Sequence, residues 1–225
     1  VRALSVLALV AAVAAVAAGC GDKSATPPPT TGTGSAGSAA ARDAGSADAA
    51  PDDQSLFDQE RQPERIIAAL GLRPGMRVAD VGAGSGLLTV HVARAVFPGG
   101  KVVATDIDGE MLKFLGARME SAGFDTVVET RVVQPADPGL EAGRYDMILL
   151  AQVDHYFDDR VAWLSKAAPA LKPDGRLAIT NRVQHRAAAM AAAASVGFQV
   201  VTEINDIPGQ FVALFARPPR PGKTP

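Results

Sequence analysis

The chain has 225 residues, with 22 basic and 24 acidic side chains and a net charge of −2 at neutral pH. That balance excludes a polyelectrolyte and leaves no basic excess for a nucleic-acid surface, so no nucleic-acid partner is expected. One cysteine, Cys20, and three histidines exclude an internal disulfide framework, a thiolate zinc site and a His-rich cluster, so no metal site is expected. Apolar residues make up 48% but aromatics only 5%, so the apolar content is mostly Ala and Val. The 22 glycines and 16 prolines are many for this length, and imply that part of the chain lies outside a folded domain.

Residues 1–20 read Val1-Arg2, an apolar run from Ala3 to Ala18, then Gly19-Cys20. A basic start, an apolar stretch and small residues at its end predict a secretory signal. The alternative for a run of roughly 20 residues is an uncleaved membrane anchor. Ala17-Ala18-Gly19-Cys20 resembles the bacterial lipobox. That resemblance implies lipid attachment at the Cys20 thiol, cleavage just before it, and a protein held on a membrane surface of the cell envelope. A true start downstream of the signal would instead leave the protein cytoplasmic. Residues 21–55 hold Pro27-Pro28-Pro29, Thr-Gly and Ser-Ala-Gly repeats and almost no large apolar side chain. Such a segment cannot bury enough surface to offset its ordering entropy, so it reads as a disordered tether.

From Leu56 the pattern changes, and a single domain is expected over 56–217, with a tail over 218–225. Arg65–Leu70 has helical spacing, begins near Pro63 and ends at Gly71. Met76–Val81 reads as a strand, and Leu87–Val96 as a helix stopped by Phe97-Pro98-Gly99-Gly100. Lys101–Asp106 is a second strand, Glu110–Ala122 a helix ending at Gly123, and Thr126–Val133 a third strand. Tyr145–Ala151 is nearly all apolar, as a central parallel strand should be. Val161–Leu171 reads as a helix and Arg176–Thr180 as the fifth strand. The Ala-rich stretch His185–Val196 is a helix, followed by strands Phe198–Ile204 and Gln210–Ala216. The alternation predicts an α/β fold: a doubly wound, mostly parallel seven-stranded sheet closed by an antiparallel C-terminal hairpin. A domain of about 160 residues suffices for one buried core.

The chemistry is carried by Asp80-Val81-Gly82-Ala83-Gly84-Ser85-Gly86, which follows a strand and opens a helix. In doubly wound sheets ligands bind beyond the carboxyl ends of the strands. The nicotinamide fingerprint needs a sixth-position glycine; counted from Gly82 that position is Leu87, so a nicotinamide-dependent reductase is the weakest reading. Asp106 ends the next strand, where a carboxylate can accept from both hydroxyls of a ribose.

These residues resemble the class I S-adenosylmethionine-dependent methyltransferases, over roughly Gln62 to Arg217. Val78–Gly86 is similar to the family's first motif and Val102–Asp108, with Met111-Leu112, to its second. Tyr145–Leu150 is similar to its fourth-strand motif, and Leu171–Leu177 to the loop into its fifth strand. The resemblance implies S-adenosyl-L-methionine as cofactor and a methyl acceptor as partner; a neutral, short domain without a large substrate module suggests that the acceptor is a small molecule. It implies that Gly82, Gly84 and Gly86 line the methionine part and that Asp80 faces its amino group. Asp106 would hold the ribose, and Ile107 would pack on the adenine. The acidic residue expected after the third strand falls in Gln134-Pro135-Ala136-Asp137-Pro138, where Asp137 sits slightly late; it reads equally as a turn residue. The cap over the cofactor is expected from Phe57–Arg61.

Methyl transfer is an in-line displacement in which the protein mainly aligns two reactants. A hydroxyl or ammonium acceptor also needs a base. After the fourth strand comes Gln152-Val153-Asp154-His155-Tyr156-Phe157, and His155 is the candidate general base; a helix-start residue bonded to backbone is its structural alternative. His91 and His185 read as structural, and Trp163 and Phe157 as core. Export and a cytoplasmic cofactor pull in opposite directions. An exported, non-catalytic binding protein on the same fold therefore stands beside the enzyme reading.

Overall fold

The structure, a computed structural model, describes residues 53–218. The predicted signal, the predicted lipidation site Cys20, the predicted tether up to residue 52 and the tail beyond Pro218 lie outside the described residues. Helices α1 (Asp53–Arg61) and α2 (Pro63–Leu70) come first. Then follow β1 (Arg77–Val81), α3 (Thr89–Val96), β2 (Lys101–Asp106), α4 (Gly109–Ser121), β3 (Val128–Val132) and β4 (Tyr145–Ala151). The chain continues through α5 (Arg160–Ala167), β5 (Leu171–Arg182), α6 (Arg186–Ser195), β6 (Gln199–Ile204) and β7 (Gln210–Ala216).

The seven strands form one sheet in the order β3-β2-β1-β4-β5-β7-β6. Strands β1 to β5 are parallel, and β7 runs antiparallel to both its neighbours. The predicted hairpin is therefore present, but its second strand is interior: β7 inserts between β5 and β6, and β6 takes the edge. On β6, Val200 pairs with Phe215 and Thr202 with Leu214, leaving Val201 as an extra residue in a bulge.

Successive strand residues point to opposite faces, and the two faces carry separate cores. Val78, Met147 and Leu149 pack with Ile66, Val92 and Leu115 from α2, α3 and α4. Ala79, Ile148 and Leu150 pack with Trp163, Leu164 and Ala189 from α5 and α6. Helix ends are set by local chemistry. Asp108 caps α4 by accepting from the amides of Glu110 and Met111, and Asp159 caps α5 by accepting from Ala162 N. Each such cap stabilises by about 1 kcal/mol.

Four elements differ from the sequence expectation. The tether reading runs through residue 55, whereas α1 already begins at Asp53, because Gln54 has partners in the domain (below). The helix expected from Leu87 begins at Thr89, after turns. The fifth strand begins at Leu171: Tyr145 pairs with Leu171 and Met147 with Arg176, so Lys172–Gly175 loop out of a continuing strand. Asp146 holds that loop, accepting from Lys172 Nζ at 2.8 Å while also accepting from Arg77 N at 2.8 Å. Finally, the alternation is broken once. Residues 133–144 join β3 to β4 without a helix, in a stretch carrying Pro135, Pro138, Gly139 and Gly143.

Candidate cofactor site

The sheet order reverses between β1 and β4, so the crevice for a ligand opens beyond their carboxyl ends. The chain leaves β1 through Gly82, whose φ is +67°. A Cβ there would stand 2.4 Å from Val153 Cγ2, so only glycine lets the loop after β1 lie against the loop after β4. Gly82 N and Ala83 N both donate to Thr105 O, at 2.8 and 3.1 Å. Gly84 N donates to Asp106 Oδ2 at 2.8 Å, and Asp108 N donates to Asp106 Oδ1 at 3.0 Å. The Asp106 carboxylate thus fixes the glycine loop to the end of β2.

The loop is also gripped from outside. Arg118 Nε donates to Ser85 O at 3.0 Å, and its Nη1 donates to Gln54 Oε1 at 2.9 Å. Gln54 Nε2 donates in turn to Leu87 O at 3.0 Å and Asp58 Oδ1 at 2.7 Å. His91, structural as expected, places Nε2 2.9 Å from Asp58 Oδ1. Helix α1 is therefore strapped to the glycine loop through its first turn. No residue of α1 lines the cavity described next, which corrects the expectation that Phe57–Arg61 cap the cofactor; Phe57 packs against the core of the α2–α4 face.

A cavity of about 690 Å³ lies beyond β1, β2 and β4, within the usual size for small-ligand sites. Gly82, Asp106 and Ile107 line it on one side, and Val133 to Asp137 of the helix-free connection on another. Gln152, Val153 and Tyr156 follow β4, and Trp163 and Lys166 face it from α5. Lys166 Nζ donates to Ala136 O at 2.8 Å and ties α5 to the 133–137 wall. Ile107 is 61% exposed, an apolar side chain standing free at the edge of the cavity. Asp137 lines the cavity and also accepts from Gly139 N at 2.9 Å, so both readings of it hold at once. Phe157 and Trp163 stack at 4.3 Å and 14°; Trp163 belongs to the core as expected, and the pair also forms cavity wall.

Four predicted residues, Asp80, His155, Gly84 and Gly86, stand outside the lining. Asp80 is 1% exposed and accepts the Thr89 hydroxyl at 2.8 Å. Burial, opposed by that hydrogen bond, pushes its carboxyl up to about 6. His155 lies beside the cavity, stacked on His185 at 4.4 Å. Its tautomer follows from its neighbours. Asn181 Oδ1 accepts from Arg182 N at 2.7 Å, so Asn181 Nδ2 faces Asp154 Oδ1 at 2.7 Å and His155 Nδ1 at 3.0 Å. Nδ1 must accept, and the neutral ring carries its proton on Nε2. Burial first, then the neighbouring His185, lowers the His155 pKa and favours this neutral form. In this arrangement Nδ1 is engaged by Asn181 and Nε2 is a donor, so His155 presents no free lone pair. A Cβ on Gly86 would stand 2.7 Å from Leu115 Cγ, so that glycine serves the approach of α4.

Sequence reasoning passed over Gln152. Its φ is +55°, in the left-handed region that only glycine and a few polar residues adopt readily, and its buried Nε2 has no hydrogen-bond partner. No local signal in the sequence marks a glutamine for that conformation.

Residues 79–177 match the family model described as "Methyltransferase domain". That stretch is similar to a methyltransferase domain. Among curated proteins, the chain is similar to nocamycin O-methyltransferase of Saccharothrix syringae, at 34% identity over 119 residues, 53% of this chain and 42% of that one. It is also similar to ubiquinone biosynthesis O-methyltransferase of Xanthomonas campestris pv. campestris (strain B100), at 32% identity over 139 residues, 61% of this chain and 55% of that one. The chain thus spans about half the length of the curated relatives it matches. A solved S-adenosylmethionine-dependent methyltransferase from Aquifex aeolicus shares the fold, with a TM-score of 0.66 at 22% identity, covering 71% of this chain and 91% of that one.

S-adenosylmethionine, the cofactor of the methyltransferase family, fits the residues present. The Asp106 carboxylate faces the cavity, Gly82 offers backbone without a Cβ, Ile107 offers an apolar face, and the Gln152 amide is an unpaired donor.

Proposed function

We propose that this domain binds S-adenosylmethionine in the cavity beyond β1, β2 and β4 and methylates a small-molecule acceptor there. One observation carries the reading: Asp106, Ile107 and Gly82, from two separate motifs, converge on one cavity of suitable size. Asp106 would hold the ribose hydroxyls while keeping the glycine loop in place through Gly84 N. Ile107 would cover one purine face, and Val133 to Asp137 would enclose the other edge. The bound cofactor supplies an electrophilic methyl group. The chain's contribution is alignment and exclusion of water, for which Phe157 and Trp163 provide an apolar wall.

With His155 held as a donor at Nε2, the acceptor atom must be nucleophilic without that histidine. An ionised oxygen or sulfur, or an unprotonated amine, meets the requirement. An N-terminal lipid anchor at Cys20 completes the proposal, setting the domain at a membrane surface of the cell envelope. Among the described residues no helix is long and apolar enough to cross a membrane, so in this reading attachment rests on the N-terminal segment.

The test is calorimetry of the full chain with S-adenosylmethionine, repeated with Asp106→Ala. Binding by the parent chain and a loss of tenfold or more in the variant, roughly one charge-assisted hydrogen bond, is expected. Absence of heat with the parent chain would remove the cofactor reading.

A further inference from the structure

We infer that Gln152 is a cofactor-positioning residue, its side-chain amide donating to a hydrogen-bond acceptor on the part of the ligand that the glycine loop holds. This rests on the proposed reading of the cavity. Three independent observations meet at this residue. Gln152 lines the cavity shared by Asp106 and Ile107. Its Nε2 is buried without a hydrogen-bond partner, one of six such side-chain atoms among the described residues and the one that lines the cavity. Its backbone is held at φ +55°, which a glycine would adopt without strain.

Gln152 N still donates to Thr180 O at 2.8 Å, continuing the β4–β5 ladder, and the chain turns at its left-handed φ directly after that bond. The next residue, Val153, is the one that abuts Gly82. The turn therefore sets Gln152 and Val153 against the glycine loop, and the ligand held by that loop is the one within reach of the amide. Strained conformations and unpaired buried donors both lower stability, and they are retained where a ligand completes the arrangement. A residue kept for packing alone would need neither feature. The partner atom must be a hydrogen-bond acceptor, which the ligand's carboxylate, hydroxyl oxygens and ring nitrogens provide and its ammonium and alkyl groups do not.

Two substitutions separate this role from a structural one. Gln152→Gly removes the amide and relieves the strain; Gln152→Glu keeps length and strain and replaces the donor with an acceptor. Both are made in the full chain, and S-adenosylhomocysteine is titrated by calorimetry with thermal unfolding measured in parallel. The glycine variant is expected to melt about 2–4 °C higher and yet bind about tenfold more weakly. The glutamate variant is expected to bind at least as weakly as the glycine variant. Affinities of both variants within twofold of the parent would overturn the inference while leaving the cofactor reading intact. A parent chain that binds no S-adenosylhomocysteine, with Asp106→Ala equally silent, would overturn both.

Discussion

Asp80 sits directly before the glycine loop and yet is sealed from the cavity. Its carboxyl accepts from Thr89 and is raised from 3.8 to about 6 by burial. In the folded chain it keeps its proton to about pH 6, whereas unfolded it loses it near 3.8. The folded state therefore binds more protons in that window, and stability contributed by Asp80 falls as pH rises through it. Above the window the cost is on the order of 3 kcal/mol. Asp80→Asn leaves an oxygen for the Thr89 hydroxyl and removes the titration. It should raise the Tm at pH 7 by several degrees and flatten its decline between pH 4 and pH 6. Thermal unfolding across that range measures both, and an unchanged slope would assign the pH dependence elsewhere. At this scale the sequence showed which residues matter better than how they are used. Asp106, Ile107, Gly82 and Asp137 reach the cavity as their motifs implied. Asp80 and His155 do not, because a motif specifies a position along the chain and not which neighbours take up its hydrogen bonds. Gln152 was invisible because its importance lies in a backbone angle and an unpaired atom.

Among the described α-helices, α1 is the one without a buried residue. Apolar packing therefore gives it little. Its hold is polar, from Gln54 to Leu87 O and Arg118 and from Asp58 to His91. Composition placed Asp53, Gln54 and Ser55 with the tether because three polar residues carry no apolar signal, and Leu87 and Arg118, which hold Gln54 to the domain, lie more than 30 residues away. A chain beginning at Ser55 should therefore lose the clamp on the glycine loop, whereas one beginning at Asp48 keeps it. The shorter chain is expected to melt lower by a few degrees and to show faster amide exchange across Ser85–Leu88 than the longer one. Equal protection in the two would mean that Arg118 alone holds the loop. The strands were the most legible elements, since β1, β2 and β4 are short apolar runs bounded by turn residues. The helix-free passage from β3 to β4 is written in Pro135, Pro138, Gly139 and Gly143. Its functional effect, a cavity wall reaching under α5, depends on Lys166 bonding Ala136 O and could not be read from the loop itself.

For the whole molecule, the parallel sheet was implied by the alternation of strands with helices but the order of its strands was not, and the reversal between β1 and β4 puts the ligand crevice where such sheets open. The interior place of β7 was not legible, because a hairpin reads the same in sequence whichever of its strands pairs inward. The proposed anchor adds a prediction at this scale. Mass spectrometry of the mature N-terminus should find a lipid-modified Cys20 and no residue before it; an unmodified peptide reading through Cys20 would remove the envelope assignment.

The bulge at Val201 governs what the sheet can recruit. β6 is an outer strand with Val200 and Val201 half exposed, the kind of border on which a second chain can lay down its own strand. The extra residue throws the outward amides and carbonyls of β6 out of step, so an incoming strand finds no continuous ladder. At the other border, β3 presents Glu129 and Arg131, joined to each other at 2.7 Å, and charge makes that border unwelcoming. The sheet is thus closed to growth at both ends by different means, a safeguard against fibrillar self-assembly that matters most where many copies are crowded together.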